Sequence, residues 1–188
     1  MTYINVNDIE QMIKSGKIKR IFLDMDECVV NSIDSVLIQL NRRFDTCYFM
    51  NDVNTWNMTN LFPTLKSIEI EEIFDSAEFF DSLTWKDGAF DFVNRHHDII
   101  SIVTKGNALN LARKEEWIRI VFPSIDFIGL EGTVMDKSMV NMGLNTVHID
   151  DNQDNLFSTN AEYKILFENV KDTEWNNKWN HLKMKNWK

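Results

Sequence analysis

With 188 residues and a formal net charge of −9, the chain is long enough for one core, or for a core with a small insertion, and its acidity argues against a nucleic-acid-binding module, which a polyanion would repel. Its 44 % hydrophobic and 26 % charged residues, with two prolines and six glycines, argue against disorder and against a Pro/Gly-rich linker. No apolar run approaches the length of a membrane span, and no internal repeat is present. The opening stretch from Met1 to Asp8 lacks the basic start and apolar segment of a signal peptide. Cys28 and Cys47 make no CxxC pair, so a reduced, cytoplasmic setting is expected.

In chain order, Ile21-Phe22-Leu23 reads as a short buried strand that stops at Asp24. The stretch from Ser32 to Trp85 is too long for an ordinary loop. It carries helical patterns over 36–44 and 65–74 and is rich in aromatics, which predicts a helical cap inserted after the first strand. A short helix is expected over 87–95, then a strand at Ile99–Val103 stopping at Thr104. Leu109, Leu111, Ala112, Trp117, Ile120 and Val121 predict a helix over 108–121. Further strands are expected at 127–129, at 146–149 stopping at Asp150, and at 163–167. In the tail, Trp175, Trp179 and Leu182 share a face at helical spacing, and docking of that face onto the domain is the default expectation. Strands alternating with helices imply a mostly parallel sheet in an α/β fold, with ligands bound beyond the carboxyl ends of the strands. The core is expected over 1–31 and 86–188 and the cap over 32–85.

The polar residues at those strand ends carry the candidate chemistry. In Asp24-Met25-Asp26 two carboxylates point the same way if the chain stays extended, so one can attack phosphorus while the other moves a proton. Asp24, the main-chain carbonyl of Asp26 and one of Asp150 or Asp151 would make an oxygen set suited to Mg²⁺. The Thr104 hydroxyl and the N–H groups of Lys105 and Gly106 would meet phosphate at the start of the next helix. Lys137 would neutralise charge on a transferring phosphoryl group. Taken singly, each has an ordinary reading as well: a solvated turn, a helix start, a surface lysine. His96-His97 reads as an exposed helix end, Cys28 as a small buried residue, and the cap aromatics as cap core.

The order strand–DxD, strand–Thr, Lys, strand–DD resembles the motif series of the haloacid dehalogenase (HAD) phosphatase superfamily. Five segments are similar to its 5′(3′)-deoxyribonucleotidase branch, the cytosolic C-type 5′-nucleotidases. They are Phe22 to Val29, Glu78 to Leu83, Lys114-Glu115-Glu116-Trp117, Asp136-Lys137-Ser138 and Ile149 to Leu156. The resemblance departs at Cys28, where Val or Thr is usual, and at Lys105-Gly106-Asn107, where Ser-Pro often follows the threonine.

The resemblance implies a Rossmann-like HAD core with a helical cap, and a Mg²⁺-dependent phosphomonoesterase acting on nucleoside monophosphates. Asp24 would be the nucleophile and Asp26 the acid/base. Thr104, Lys105 and Lys137 would serve phosphate, and Trp56 and Phe79 the base. Asp24, Asp26, Asp150 and Asp151 would serve the metal. Another small phosphate, or a non-catalytic binding role on the same fold, are the alternatives. The expected partner is a small nucleotide, with no nucleic-acid polymer and no membrane, for a monomer or homodimer.

Overall fold

The computed structural model describes residues 2–132, 134–170 and 173–188. In chain order its regular elements are β1 (Thr2–Tyr3), α1 (Val6–Lys14), β2 (Arg20–Leu23), α2 (Ser32–Phe44), α3 (Ser67–Phe74), α4 (Ala77–Ser82), α5 (Ala89–His96), β3 (Ile100–Gly106), α6 (Ala108–Val121), β4 (Asp126–Glu131), β5 (Thr146–Asp150), α7 (Gln153–Ser158), β6 (Tyr163–Phe167) and β7 (Leu182–Met184). The strands form a seven-stranded sheet in the order β1-β7-β6-β5-β2-β3-β4, with every neighbouring pair parallel. This is the α/β, Rossmann-like arrangement expected from the alternation. No helix among the described residues is long and apolar enough to cross a membrane.

Central strands of a parallel sheet are covered on both faces, which is why β2 and β5 are almost continuous apolar runs. Ile21 and Leu23 of β2 are fully buried, as are Val147 and Ile149 of β5. Leu23 is in register with Ile102 on one side and Ile149 on the other. All three strands point the same way, so their polar ends emerge at one edge. The Asp24 N–H donates to the Ile149 carbonyl at 2.9 Å, which carries the pairing one residue past β2.

Strand β3 outruns its expected end. It continues through Thr104 to Gly106 because β4 also continues, pairing Lys105 with Leu130 and Gly106 with Glu131. Helix α6 therefore starts at Ala108, with Asn107 as its cap accepting from the Asn110 N–H at 3.0 Å. A Cβ at Gly106 would lie 2.4 Å from Asn110 Oδ1, so a larger residue there would displace the Asn110 side chain.

Because β1 precedes β2, the helical insertion follows the second strand of the chain rather than the first. The chain leaves and returns through paired backbone. The Asn31 N–H donates to the Thr84 carbonyl and the Lys86 N–H to the Val29 carbonyl, both at 2.9 Å. Glu27 locks this crossing. Its φ of 53° is a left-handed conformation for a non-glycine residue. Its buried carboxylate accepts from the Ile33 N–H at 2.8 Å, at the start of α2, and from Lys86 Nζ at 2.9 Å. Helix α2 packs on α3 and α4, and one apolar cluster runs from Leu23 and Met25 through Ile33 and Val36 to Phe62 and Phe79. Opposite the crossing, Asn110 Nδ2 donates to the Phe74 carbonyl at 2.8 Å and Arg113 to the Asp75 carbonyl at 2.6 Å. Core side chains thereby satisfy the open carbonyls at the end of α3.

The tail corrects the expected helical face. Trp175 lies in a turn, and Leu182 begins β7, which fills the gap between β6 and β1. Ladder hydrogen bonds on both sides of β7 prevail over helical spacing. Beside them Glu168 accepts from Lys183 Nζ and from the Tyr3 hydroxyl, both at 2.5 Å. Burial opposes ionisation of Glu168, but these bonds prevail and hold its carboxyl below the ordinary 4.5. A lowered folded value stabilises above the ordinary value and is lost as pH falls through the lowered one. Glu168→Gln leaves Lys183 buried without a counter-charge and is expected to cost about 2 kcal/mol at neutral pH. Urea unfolding of both proteins checks this: the gap is full at neutral pH and shrinks below 4.5.

Candidate active site

Asp24, Asp150 and Asp151 bring carboxylate oxygens within 4.8 Å of one another, and all three residues are buried. Lys137 is the cation among them, lying 2.6 Å from Asp24 Oδ1 and 2.6 Å from Asp150 Oδ2. It is delivered by a single 3-10 turn, Lys137–Met139, that Asp136 caps by accepting from the Ser138 N–H at 2.7 Å. The two carboxylates hold the Lys137 ammonium well above its ordinary value even though burial pulls the other way.

The three aspartates differ in environment. Burial pushes Asp24 up to about 7, assisted by Asp150 and Asp26 and opposed by Lys137. Burial also drives Asp151 well above its usual range, reinforced by Asp24 and Asp150. No donor among the described residues is bonded to the Asp151 carboxylate. Asp150 is held low, with Lys137 prevailing over burial. Its Oδ1 accepts from the Asn152 N–H at 2.9 Å and from Asn155 Nδ2 at 3.1 Å. Its Oδ2 takes Lys137 and lies 3.1 Å from His148 Nε2. Both Asp150 oxygens are thus engaged, while Asp24 and Asp151 face a cavity that Asp150 does not line.

A residue to which the sequence reading assigned no role completes the site. Lys114, on α6, is only 2 % exposed, and its ammonium has three acceptors: Asp26 Oδ2, Thr104 Oγ1 at 3.1 Å and the Lys105 carbonyl at 2.9 Å. It ties the end of β3 to the loop after β2 and leaves Asp26 Oδ1 as a buried oxygen without a partner among the described residues. Lys114→Met is expected to lower kcat by about a hundredfold through misplacement of Asp26, with KM changed much less. Steady-state kinetics with a melting curve tests this, and an unchanged kcat in a folded variant would remove Lys114 from the site.

The cavity has a volume of about 550 Å³. Its floor carries Asp24, Asp26, Lys137 and Asp151, and Lys105 and Gly106 also line it. Thr104 is fully buried behind the wall and is not a lining residue. The aromatic wall consists of Trp56, Phe74 and Trp175. Trp56 stacks on Phe74 with centroids 5.7 Å apart at 19°. Phe79 does not reach the cavity; it is fully buried, with its centroid 5.1 Å from that of Phe74 and 5.0 Å from that of Phe80. Cys28 is buried, and burial raises its thiol well above the usual value, so it is no thiolate nucleophile.

The seven-stranded parallel sheet has the fold of HAD-like hydrolases. The HAD-like hydrolase SP0104 from Streptococcus pneumoniae superposes with a TM-score of 0.59 at 11 % identity, covering 89 % of this chain and 94 % of that one. The HAD-hydrolase YfnB from Bacillus subtilis, described as bound to magnesium, superposes with a TM-score of 0.58 at 13 % identity, covering 90 % and 96 %. The family described as "5' nucleotidase, deoxy (Pyrimidine), cytosolic type C protein" matches residues 17–188, and the chain belongs to it. A "Putative 5'(3')-deoxyribonucleotidase" from Staphylococcus epidermidis is 24 % identical over 162 residues, covering 81 % of this chain and 90 % of that one. The chain is accordingly a phosphoric monoester hydrolase of the 5′-nucleotidase kind.

Proposed function

We propose that this enzyme hydrolyses (deoxy)nucleoside monophosphates through a phosphoryl group carried on Asp24. The observation that carries the reading is one cavity in which Asp24, Asp26 and Lys137 face an aromatic wall containing Trp56 and Phe74. Asp24 Oδ attacks phosphorus and the ester bond breaks. Asp26, which lines the cavity, gives its proton to the departing nucleoside oxygen and later takes one from the water that releases phosphate. Lys137, anchored by Asp150, stays beside Asp24 as charge builds on the phosphoryl oxygens. Lys105, which lines the cavity at the end of β3, offers a further cation.

Asp24 and Asp151, with the Asp26 carbonyl, fit Mg²⁺: two buried carboxylates open to the cavity repel one another, and hard oxygens suit that ion. When bound, the ion supplies positive charge that lets carboxylates and phosphate share the site. Residues 32–85 act as the cap over the cavity, through Trp56, Glu71 and Phe74. A cytosolic setting is supported by the family description.

Phosphate release from nucleoside monophosphates, sugar phosphates and p-nitrophenyl phosphate tests the reading. The nucleotides are expected to exceed the sugar phosphates by at least about tenfold in kcat/KM, the worth of stacking a base on an aromatic wall. Sugar phosphates turning over faster would contradict it.

A further inference from the structure

Trp175, in the tail, lines the same cavity, and Glu174 precedes it. The Trp175 ring meets Trp56 edge-on, with centroids 6.0 Å apart at 85°. Glu174 Oε1 accepts from the Trp56 N–H at 2.6 Å, and the Glu174 N–H donates to the Asn54 carbonyl at 3.2 Å. The segment carrying Trp56 is thus held by the tail as well as by its own helices.

The turn that carries Trp175 is in turn fixed to the catalytic edge of the sheet. Gln153, two residues beyond Asp151 and 1 % exposed, donates its N–H to the Trp175 carbonyl at 2.8 Å and its Nε2 to the Glu174 carbonyl at 3.3 Å. Its Oε1 accepts from the Lys178 N–H at 2.6 Å. Two hydrogen bonds donated by one buried glutamine, and one that it accepts, tie the turn carrying the indole to the segment after Asp151. Trp175 is only 6 % exposed and belongs to the main apolar cluster, and it still lines the cavity.

We infer that Trp175 is a specificity-determining residue that contacts the nucleoside part of the substrate, and that Glu174 positions Trp56 beside it. The inference rests on the nucleotidase reading and deepens it: one aromatic ring comes from the insertion and one from the tail, so base recognition joins those two segments. An aromatic nucleoside gains from both rings, while p-nitrophenyl phosphate needs chiefly the strand-end groups. Trp56 is 40 % exposed; its ring packs on Phe74 and Trp175, and its main-chain N–H is held by the Glu174 carboxylate.

The test compares wild type, Trp175→Ala, Trp175→Leu and Glu174→Gln in kcat/KM for a deoxynucleoside monophosphate and for p-nitrophenyl phosphate, with thermal melting of each. Trp175→Ala is expected to lose about tenfold or more on the nucleotide and less than about threefold on p-nitrophenyl phosphate, mostly in KM. Trp175→Leu keeps apolar bulk in the turn and must show the same selective loss, which covers the case in which the alanine variant fails to fold. Glu174→Gln is expected to fall between. Equal losses on both substrates in a folded leucine variant, or no loss on the nucleotide, overturn the inference while the nucleotidase reading stands. A wild type active on p-nitrophenyl phosphate but on no nucleotide overturns both.

Discussion

Asp24→Asn is expected to lower turnover by at least about a thousandfold while leaving the thermal midpoint unchanged or raised. The amide is nearly the same shape but is a poor nucleophile toward phosphorus. Its effect on stability has the opposite sign from most core substitutions. Asp24 is a buried carboxylate pushed up to about 7, crowded by Asp150 and Asp26. Removing its charge relieves that repulsion, and Lys137 keeps Asp150 at 2.6 Å as a counter-charge. Kinetics and calorimetry on the same purified variant check both halves. A folded asparagine variant with wild-type rates would remove Asp24 from the chemistry.

Chelation is expected to have a smaller but still large effect. Asp24 and Asp151 share one cavity floor, and a substrate phosphate brings more negative charge to it. Exhaustive EDTA treatment should lower activity by at least about a hundredfold, and added Mg²⁺ should restore it. Mg²⁺ alone should also raise the melting temperature, because it binds the folded carboxylate pair and not the unfolded chain. Full activity after chelation, or a melting temperature indifferent to Mg²⁺, would contradict the assignment of Asp24 and Asp151 to the ion.

Much of the fold was legible because the interior strands are short apolar runs ending in a polar residue, as at Leu23-Asp24 and Ile149-Asp150. The face of α6 was not. Its periodic apolar residues Leu109, Ile120 and Val121 are exposed, at 52 %, 75 % and 41 %, whereas the buried stripe is Asn110, Lys114 and Ile118. A pattern search weights apolar residues, so it selects the wrong face when the inward stripe must serve a polar site. The spacing of four between Asn110, Lys114 and Ile118 was the available signal. Strand β7 escaped because Leu182-Lys183-Met184 is three residues long and lies beside tryptophans at helical spacing. Phe79 illustrates a further limit: an aromatic in a capping segment reads alike whether it faces a ligand or packs between Phe74 and Phe80. Adjacent Asp150 and Asp151 were likewise inseparable in sequence, because what distinguishes them is which one Lys137, Asn152 and Asn155 saturate.

The central claim is that phosphate passes through Asp24. Acid-quenching the enzyme during turnover of a deoxynucleoside monophosphate, followed by borohydride reduction, converts an acyl phosphate to the alcohol and marks its position for peptide mass spectrometry. Homoserine is expected at position 24, formed only with substrate and Mg²⁺ present and absent from Asp24→Asn. Reduction at Asp26 or Asp151 with Asp24 unmodified would contradict it.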